Sequence, residues 1–175
     1  MSWSQIFLSI QFDGDAKPIE GEAEYQGFQG QIEIDNLSWG LSAGKNAAGG
    51  SGTLKQKPEF TAVEFSKRLD RSSMALFNRI KVDEQIRTMV ISVAHSVTRD
   101  DAKPRLAMEV KLVGARVISV AMSTTGAGKA LSVQENFTVH YERIYIKRFP
   151  LTESGKYATE AQTYQSRADV DLNLN

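Results

Sequence analysis

The fold is decided by the segment Gly30-Gln31-Ile32-Glu33-Ile34-Asp35-Asn36-Leu37-Ser38-Trp39-Gly40-Leu41-Ser42, in which the alternation of apolar and polar residues changes phase. The apolar residues fall on even positions before Asp35 and on odd positions after it: Ile32, Ile34, then Leu37, Trp39 and Leu41. Successive side chains of a strand point to opposite faces, so one apolar face stays continuous only if a residue is inserted near Asp35. The segment therefore predicts a bulged strand that bends its sheet towards closure.

Length and composition limit the class of protein. The chain has 175 residues, which suits a single domain over residues 1–175. Lysine plus arginine and aspartate plus glutamate both number 21, so no overall charge attracts nucleic acid or an anionic membrane. Cysteine is absent, which excludes disulfides, thiolate metal sites and a cysteine nucleophile. The start of the chain does not resemble a signal peptide, and no apolar stretch reaches the ~20 residues of a membrane helix.

The remaining patterns predict mainly β-structure with a single helix. Alternating stretches indicate roughly seven or eight strands, which include long strands over 60–69 and 131–149, the latter also with a phase change. Helical spacing of apolar residues, after capping oxygens at 70–73, predicts a helix over about 72–83. A glycine-rich loop covers 43–53, and a tail over about 150–175 carries a final alternating stretch. The fold class is therefore mainly β, as a small barrel of two sheets with one flanking helix.

No motif of the chain requires an enzyme. His95 and His140 lie in separate strand patterns and are interpreted as a core and a surface histidine rather than a catalytic pair. Glu33 and Asp35 share one strand face, an arrangement compatible with paired glycosidase carboxylates, but such spacing is common on solvated strands. We expect no catalytic, cofactor-binding or metal-binding residues, and no cofactor.

Several separated stretches resemble the haemolysin-coregulated protein family, known as Hcp, which forms the inner tube of the bacterial type VI secretion system. Residues 32–42 resemble its "I-E-(I/V)-x-x-x-S-W-G-(V/M)-S" segment, and residues 20–22 its "K-G-E-S" element. Residues 64–76 are similar to its strand-to-helix junction, and residues 117–120 and 135–144 to two later strands. The chain departs from the family pattern at Met74, where proline is usual, and in its tail.

The resemblance implies a β-barrel that assembles into a homohexameric ring with a wide lumen. Rings stack into a tube that a contracting sheath expels, and the lumen carries and protects effectors. The partners implied are further copies of the chain, the spike protein VgrG, sheath and baseplate proteins, and secreted effectors, without nucleic acid or membrane. The protein would be cytoplasmic before firing and then secreted without a signal peptide.

The same resemblance suggests roles for particular residues. Alternation places Ser38 on the outer sheet face, where it either lines the lumen or simply faces solvent. Trp39 is interpreted as a core or interface anchor rather than a ligand platform. The loop either contacts neighbouring subunits or rings, or is a free surface loop; its candidate contact residues are Gly44, Lys45, Asn46, Gly49, Gly50 and Gly52.

Two other functions stay open at this point. One is a phage-like tail-tube protein. The other is a carbohydrate-active or carbohydrate-binding β-sandwich module that would use Glu33, Asp35 or His140. A toxin domain in the tail is disfavoured because about 25 residues are too few for one.

Overall fold

The computed structural model describes residues 3–42, 58–96, 103–126, 132–150 and 162–167, which form twelve strands and one helix. The early strands are β1 (Trp3–Phe12), β2 (Ile32–Ile34), β3 (Asn36–Ser38), β4 (Leu41–Ser42), β5 (Glu59–Phe60) and β6 (Val63–Arg68). Helix α1 (Ser73–Lys81) follows. The later strands are β7 (Ile86–Ser96), β8 (Arg105–Val113), β9 (Arg116–Thr125), β10 (Ser132–His140), β11 (Arg143–Arg148) and β12 (Gln162–Arg167).

Two antiparallel sheets enclose the main core. The six-stranded sheet has the order β12-β11-β8-β7-β1-β2, and the four-stranded sheet has the order β3-β6-β10-β9. Strands β4 and β5 form a separate two-stranded ribbon. The core between the sheets is apolar and includes the stacked rings of Phe65 and Phe137, whose centroids lie 4.8 Å apart. The mainly β fold with one helix in the described residues is thus confirmed.

The phase change near Asp35 marks a change of sheet. Strand β2 pairs with β1 in the six-stranded sheet, whereas β3 pairs with β6 in the four-stranded sheet. Asp35 lies between them and donates its backbone N–H to the carbonyl of Ser66 at 2.7 Å. The prediction of one bulged strand is therefore wrong. The apolar residues change parity because the chain crosses from one wall of the barrel to the other while keeping its apolar side on the core.

The predicted strand over 131–149 shows the same behaviour. Strand β10 belongs to the four-stranded sheet and β11 to the six-stranded sheet, so the chain changes sheets at Tyr141 and Glu142. The predicted strand over 60–69 is likewise divided between β5 and β6. These sheet changes raise the strand number above the predicted seven or eight.

A second, smaller apolar cluster lies on the opposite face of the six-stranded sheet. Phe7 points to this face and is fully buried, with its ring stacked on Phe28 at 4.3 Å. Ala23, Ala94 and Tyr25 complete the contact. The irregular segment 19–31 therefore covers this side of the sheet, which explains why Phe7 interrupts the alternation of β1.

Helix α1 begins and ends inside the predicted range of 72–83. In the tail, residues 162–167 form β12, an edge strand paired with β11, and the other tail residues lie outside the described part. The glycine-rich loop 43–53 also lies outside the described residues.

Gly21 holds the covering segment close to β2. Its N–H donates to the carbonyl of Gly30 at 2.8 Å, and an added Cβ would come within 2.3 Å of the carbonyl oxygen of Gln31. Backbone cannot move aside cheaply, so we expect Gly21→Ala to lower the free energy of unfolding by about 2–3 kcal/mol in urea titrations.

Gly27→Ala is the matched control. Gly27 has a φ of +91° with nothing within 4 Å of the added Cβ, so only backbone strain of about 1 kcal/mol is expected. Equal losses in the two variants would contradict the steric role of Gly21.

Candidate functional site: a polar sheet face between two open edges

The four-stranded sheet presents one polar face to solvent. Its inward residues, such as Phe65 and Phe137, are buried in the core, so the alternate residues point outward. Cross-strand pairing aligns these outward positions in rows across all four strands. They are Asn36, Ser38, Glu64, Ser66, Arg68, Ser119, Ala121, Ser123, Gln134, Asn136 and Thr138. The face thus carries hydroxyl and amide groups with a single acid and a single base.

Ser38 lies on this face at the β3 edge, paired with Glu64, and is exposed. The structure therefore places it away from the core.

Strands β3 and β9 are the two edges of this sheet, and exposed apolar side chains accompany both. Met122 and Ile118 on β9 are 53% and 47% exposed. Leu41 follows β3 and is 47% exposed, although the alternation puts it on the same apolar face as Leu37 and Trp39. Its strand β4 leaves the four-stranded sheet and pairs with β5 instead, which moves Leu41 out of the barrel wall.

Trp39 connects the β3 edge with three other parts of the chain. Its half-buried ring packs on the core, and Nε1 donates to Tyr141 Oη at 2.5 Å. Tyr141 Oη in turn donates to the carbonyl of Thr61 at 3.0 Å. The Trp39 ring also lies 6.4 Å from the Phe60 ring and 6.2 Å from the Tyr164 ring. Burial raises the pKa of Tyr141, which keeps its hydroxyl protonated as a donor at neutral pH.

A buried ion pair supports the sheet from inside. Lys67 on β6 and Glu135 on β10 are directly opposite in register, both fully buried, with Nζ 2.8 Å from Oε2. Lys67 Nζ also contacts Asp70 Oδ1 at 2.7 Å and Ser73 Oγ at 2.9 Å. Ser73 Oγ donates to Glu135 Oε2 at 3.0 Å. One cation thus joins two strands of the sheet to the first residue of α1.

Asp70 also begins the helix. Its Oδ1 accepts the backbone N–H of Ser72 at 2.9 Å and the Ser72 hydroxyl at 2.5 Å. Ser72, the residue before the helix, makes no capping hydrogen bond with its own side chain. Of the capping oxygens expected at 70–73, the carboxylate of Asp70 therefore caps the helix. Asp70 lies two residues before the N-cap residue Ser72.

This ion pair was not predicted, although the sequence carries a signal for it. Lys67 shares the parity of Val63 and Phe65, and Glu135 shares the parity of Phe137 and Val139. Charges at core parity on two strands suggest a buried pair, but only the strand pairing shows that they face each other.

The hydrolase alternative draws on residues of two different sheets. Glu33 pairs with Phe7 in the six-stranded sheet, while His140 pairs with Arg116 in the four-stranded sheet. His140 instead lines a small cavity of about 50 Å³ with Phe60, Thr61 and Tyr141. In the described part of the chain, no group of three or more His, Asp or Glu residues is arranged to hold a metal ion.

Glu33 has a raised pKa. Partial desolvation is the main cause, and the neighbouring carboxylate of Asp35 adds to it, while Arg68 acts in the opposite direction.

The candidate loop residues Gly44, Lys45, Asn46, Gly49, Gly50 and Gly52 lie outside the described residues. The described helix is too short and too polar to cross a bilayer.

These features define a mainly antiparallel β-barrel with one polar outer sheet and a strand-to-helix junction fixed by a buried cation. Residues 7–147 match the family model of the type VI secretion system effector Hcp. The chain therefore belongs to the Hcp family. No match was found among curated protein sequences.

Solved structures share the fold at low sequence identity. A type six secretion system protein is 16% identical with a TM-score of 0.77, covering 95% of this chain and 96% of that one. The Hcp1 protein from E. coli EAEC 042 is 17% identical with a TM-score of 0.70, covering 93% and 97%. A chain of the anti-feeding prophage baseplate, a sixfold-symmetrised structure, is 14% identical with a TM-score of 0.53, covering 81% and 91%.

Substitution of the buried pair tests its structural role. Lys67→Met leaves the buried Glu135 carboxylate without its cation, and we expect a loss of about 3–5 kcal/mol in the free energy of unfolding. The double variant Lys67→Met/Glu135→Leu removes both charges and should lose clearly less than the single variant. Urea unfolding followed by circular dichroism measures both. The account would be contradicted if the double variant lost as much free energy of unfolding as Lys67→Met and Glu135→Leu lose together, or more.

Because the pKa of Glu33 is raised, a substitution that removes its negative charge should stabilise the fold by an amount that depends on pH. A carboxyl whose pKa is higher in the folded state stabilises the fold when protonated and loses that contribution as pH rises through its folded pKa. Glu33→Gln should therefore raise the melting temperature at pH 7, with the gain vanishing below about pH 4. Glu59→Gln, outside this acidic cluster, serves as control. A gain that persists undiminished in acid would contradict the titration of Glu33.

Proposed function

We propose that this protein is a tube subunit of a type VI secretion system, which assembles as a homohexameric ring with the polar face of the four-stranded sheet on the inner wall. The observation that carries the proposal is the combination of that face with two sheet edges that pair with no further described strand, in a chain of the Hcp family. Rings stack into the tube, and a contracting sheath expels it.

The two edges of the sheet fit a closed ring. An edge strand presents unpaired backbone groups that can pair with another chain. Because β3 and β9 differ in length and sequence, an edge-to-edge contact between copies is heterologous, and such contacts form a ring if the rotation closes. Exposed Met122 and Ile118 at one edge and Leu41 at the other supply apolar contact area for this joint.

The chemistry of the polar face suits a transport wall. Apart from Ala121, its outward residues are polar, and its acid Glu64 and base Arg68 balance each other. A neutral wall of hydroxyl and amide groups neither attracts nor repels a passing protein strongly by charge. We therefore propose that Ser38 is a lumen residue and that effectors travel in contact with this wall.

Trp39 is then proposed as an anchor of the ring joint. It lies beside the β3 edge and is held by Tyr141 and by its ring contacts with Phe60 and Tyr164. The loop residues Gly44, Lys45, Asn46, Gly49, Gly50 and Gly52 follow this edge in sequence and are proposed to contact the neighbouring subunit or ring.

The proposal also covers partners and location. The subunit would associate with the spike protein VgrG, with sheath and baseplate proteins and with effectors, and would pass from the cytoplasm to the exterior through the secretion system. Its role would be structural rather than enzymatic. The likeness to a chain of a prophage baseplate supports a common origin with phage-like tail tubes.

A substitution at the β9 edge tests the ring. Met122→Glu places a charge at the proposed joint, so purified protein should shift from a mass of about six chains towards monomer, while its circular dichroism stays unchanged. Light scattering coupled to gel filtration measures the mass.

Met74→Glu is the matched control, since Met74 is a methionine of similar exposure, 56%, in the first turn of α1 rather than on an edge strand. It should leave the mass unchanged. A wild-type protein that stays monomeric at all concentrations, or a Met122→Glu variant that still forms rings, would count against the proposed joint.

A further inference from the structure

The outer face of the six-stranded sheet is covered only in part. Segment 19–31 packs over Phe7 and Ala94 on strands β1 and β7. Leu106 at the start of β8 also packs against this cluster, whereas the later outward residues of β8 and those of β11 do not belong to it. The outward side of β8 and β11, here called the ledge, therefore lies on the opposite side of the barrel from the polar face described above.

A stripe of cations lies on this ledge. On β11, Ile144 and Ile146 point to the core, so Arg143, Tyr145 and Lys147 point outward. Lys111 on β8 is directly opposite Tyr145. We call Lys111, Arg143, Tyr145 and Lys147 the basic stripe.

The cations of the stripe are not neutralised by described acids, although Lys147 Nζ lies over the Phe149 ring, 5.0 Å from its centroid. Lys111, Arg143 and Lys147 are all exposed, and none of them forms an ion pair with another described residue. The other described basic side chains that lie near acids do pair, for instance Arg116 with Asp83 at 2.7 Å. Three unpaired cations around one tyrosine are therefore a local excess in a chain with no net charge.

We propose that the basic stripe binds an acidic, extended segment of a partner protein. Alternate residues of a strand are ~6.6 Å apart on each chain, so acids at every second position of an extended segment match Arg143, Tyr145 and Lys147 in spacing. Tyr145 offers a flat, half-buried surface for the apolar part of that segment.

Two observations favour a short acidic segment over nucleic acid. Glu109 is opposite Lys147 in register and places a negative charge at the border of the stripe, which limits how far a polyanion can extend. Within the stripe Tyr145 is the one aromatic residue, and the neighbouring Phe149 ring already contacts Lys147, whereas single-stranded nucleic acid uses a series of stacking platforms.

This inference rests on the proposed ring in one respect. A ring with the polar face inside leaves the ledge on the outer wall, where a partner surrounding the tube can reach it. The stripe itself belongs to each subunit.

A labelled peptide tests the stripe. The probe is a fluorescein peptide of about ten residues that alternates Glu and Ser, and the control probe alternates Gln and Ser. Anisotropy titration against the full-length protein should show binding of the acidic probe alone, weakened by added salt. Lys111→Gln/Lys147→Gln should weaken it about 4–25-fold, at about two- to fivefold for each charge removed.

Lys17→Gln/Lys81→Gln is the matched control, because it removes two exposed lysines at other places and should leave binding unchanged. Equal binding by both double variants, or by both probes, would overturn the proposal. So would a single-stranded oligonucleotide that displaces the acidic probe at lower concentration than unlabelled acidic peptide, since that would indicate a nucleic acid site.

The mass of each variant, measured in parallel, separates this inference from the proposed function. Rings that do not bind the acidic probe would contradict the stripe alone. A monomer that binds the acidic probe through Lys111 and Lys147 would contradict the ring alone.

Discussion

The buried contact between Lys67 and Glu135 is the constraint on which the rest of the structure depends. Desolvation of a lone ammonium or carboxylate is costly, so each charge requires the other at short distance. The pair therefore fixes β6 against β10 in a single register, because a slip of one residue would turn Lys67 and Glu135 away from each other and from the core. Asp70 and Ser73 extend this constraint from the sheet to the start of α1.

This register determines the polar face. Once Lys67 and Glu135 point inward with Phe65 and Phe137, the residues between them point outward across the sheet. Asn136 and Ser66 lie side by side on that face for this reason. A buried charge pair on one side of the sheet thus specifies the neutral surface on the other.

Much of this arrangement could be predicted from the sequence. The alternation places the strands, and the motif around Trp39 together with the junction at Asp70 indicates the family that the comparison over residues 7–147 establishes. The phase changes at Asp35 and at Tyr141–Glu142 locate real breaks in the strands. Their interpretation as a bulge was wrong. A phase change fits either an inserted residue or a crossing between two sheets, and only long-range pairing distinguishes the two.

The sites depend even more on contacts far apart in sequence. Lys67 and Glu135 are 68 positions apart, and the 102 positions between Trp39 and Tyr141 likewise give no local signal of their hydrogen bond. Leu41 has core parity but leaves the barrel because β4 pairs with β5. The basic stripe likewise gives no local signal, since pairing of β11 with β8 is needed to bring Lys111 beside Tyr145.

The central claim is that the four-stranded sheet forms the inner wall of a closed ring. Electron cryomicroscopy of the purified full-length protein tests it most directly, by a reconstruction without imposed symmetry. The account predicts a sixfold ring with an open centre, in which Ser38 and Asn136 line the lumen and the β3 edge of one subunit meets the β9 edge of the next. Separate monomers, or a ring with the four-stranded sheet on its outer wall, would contradict it.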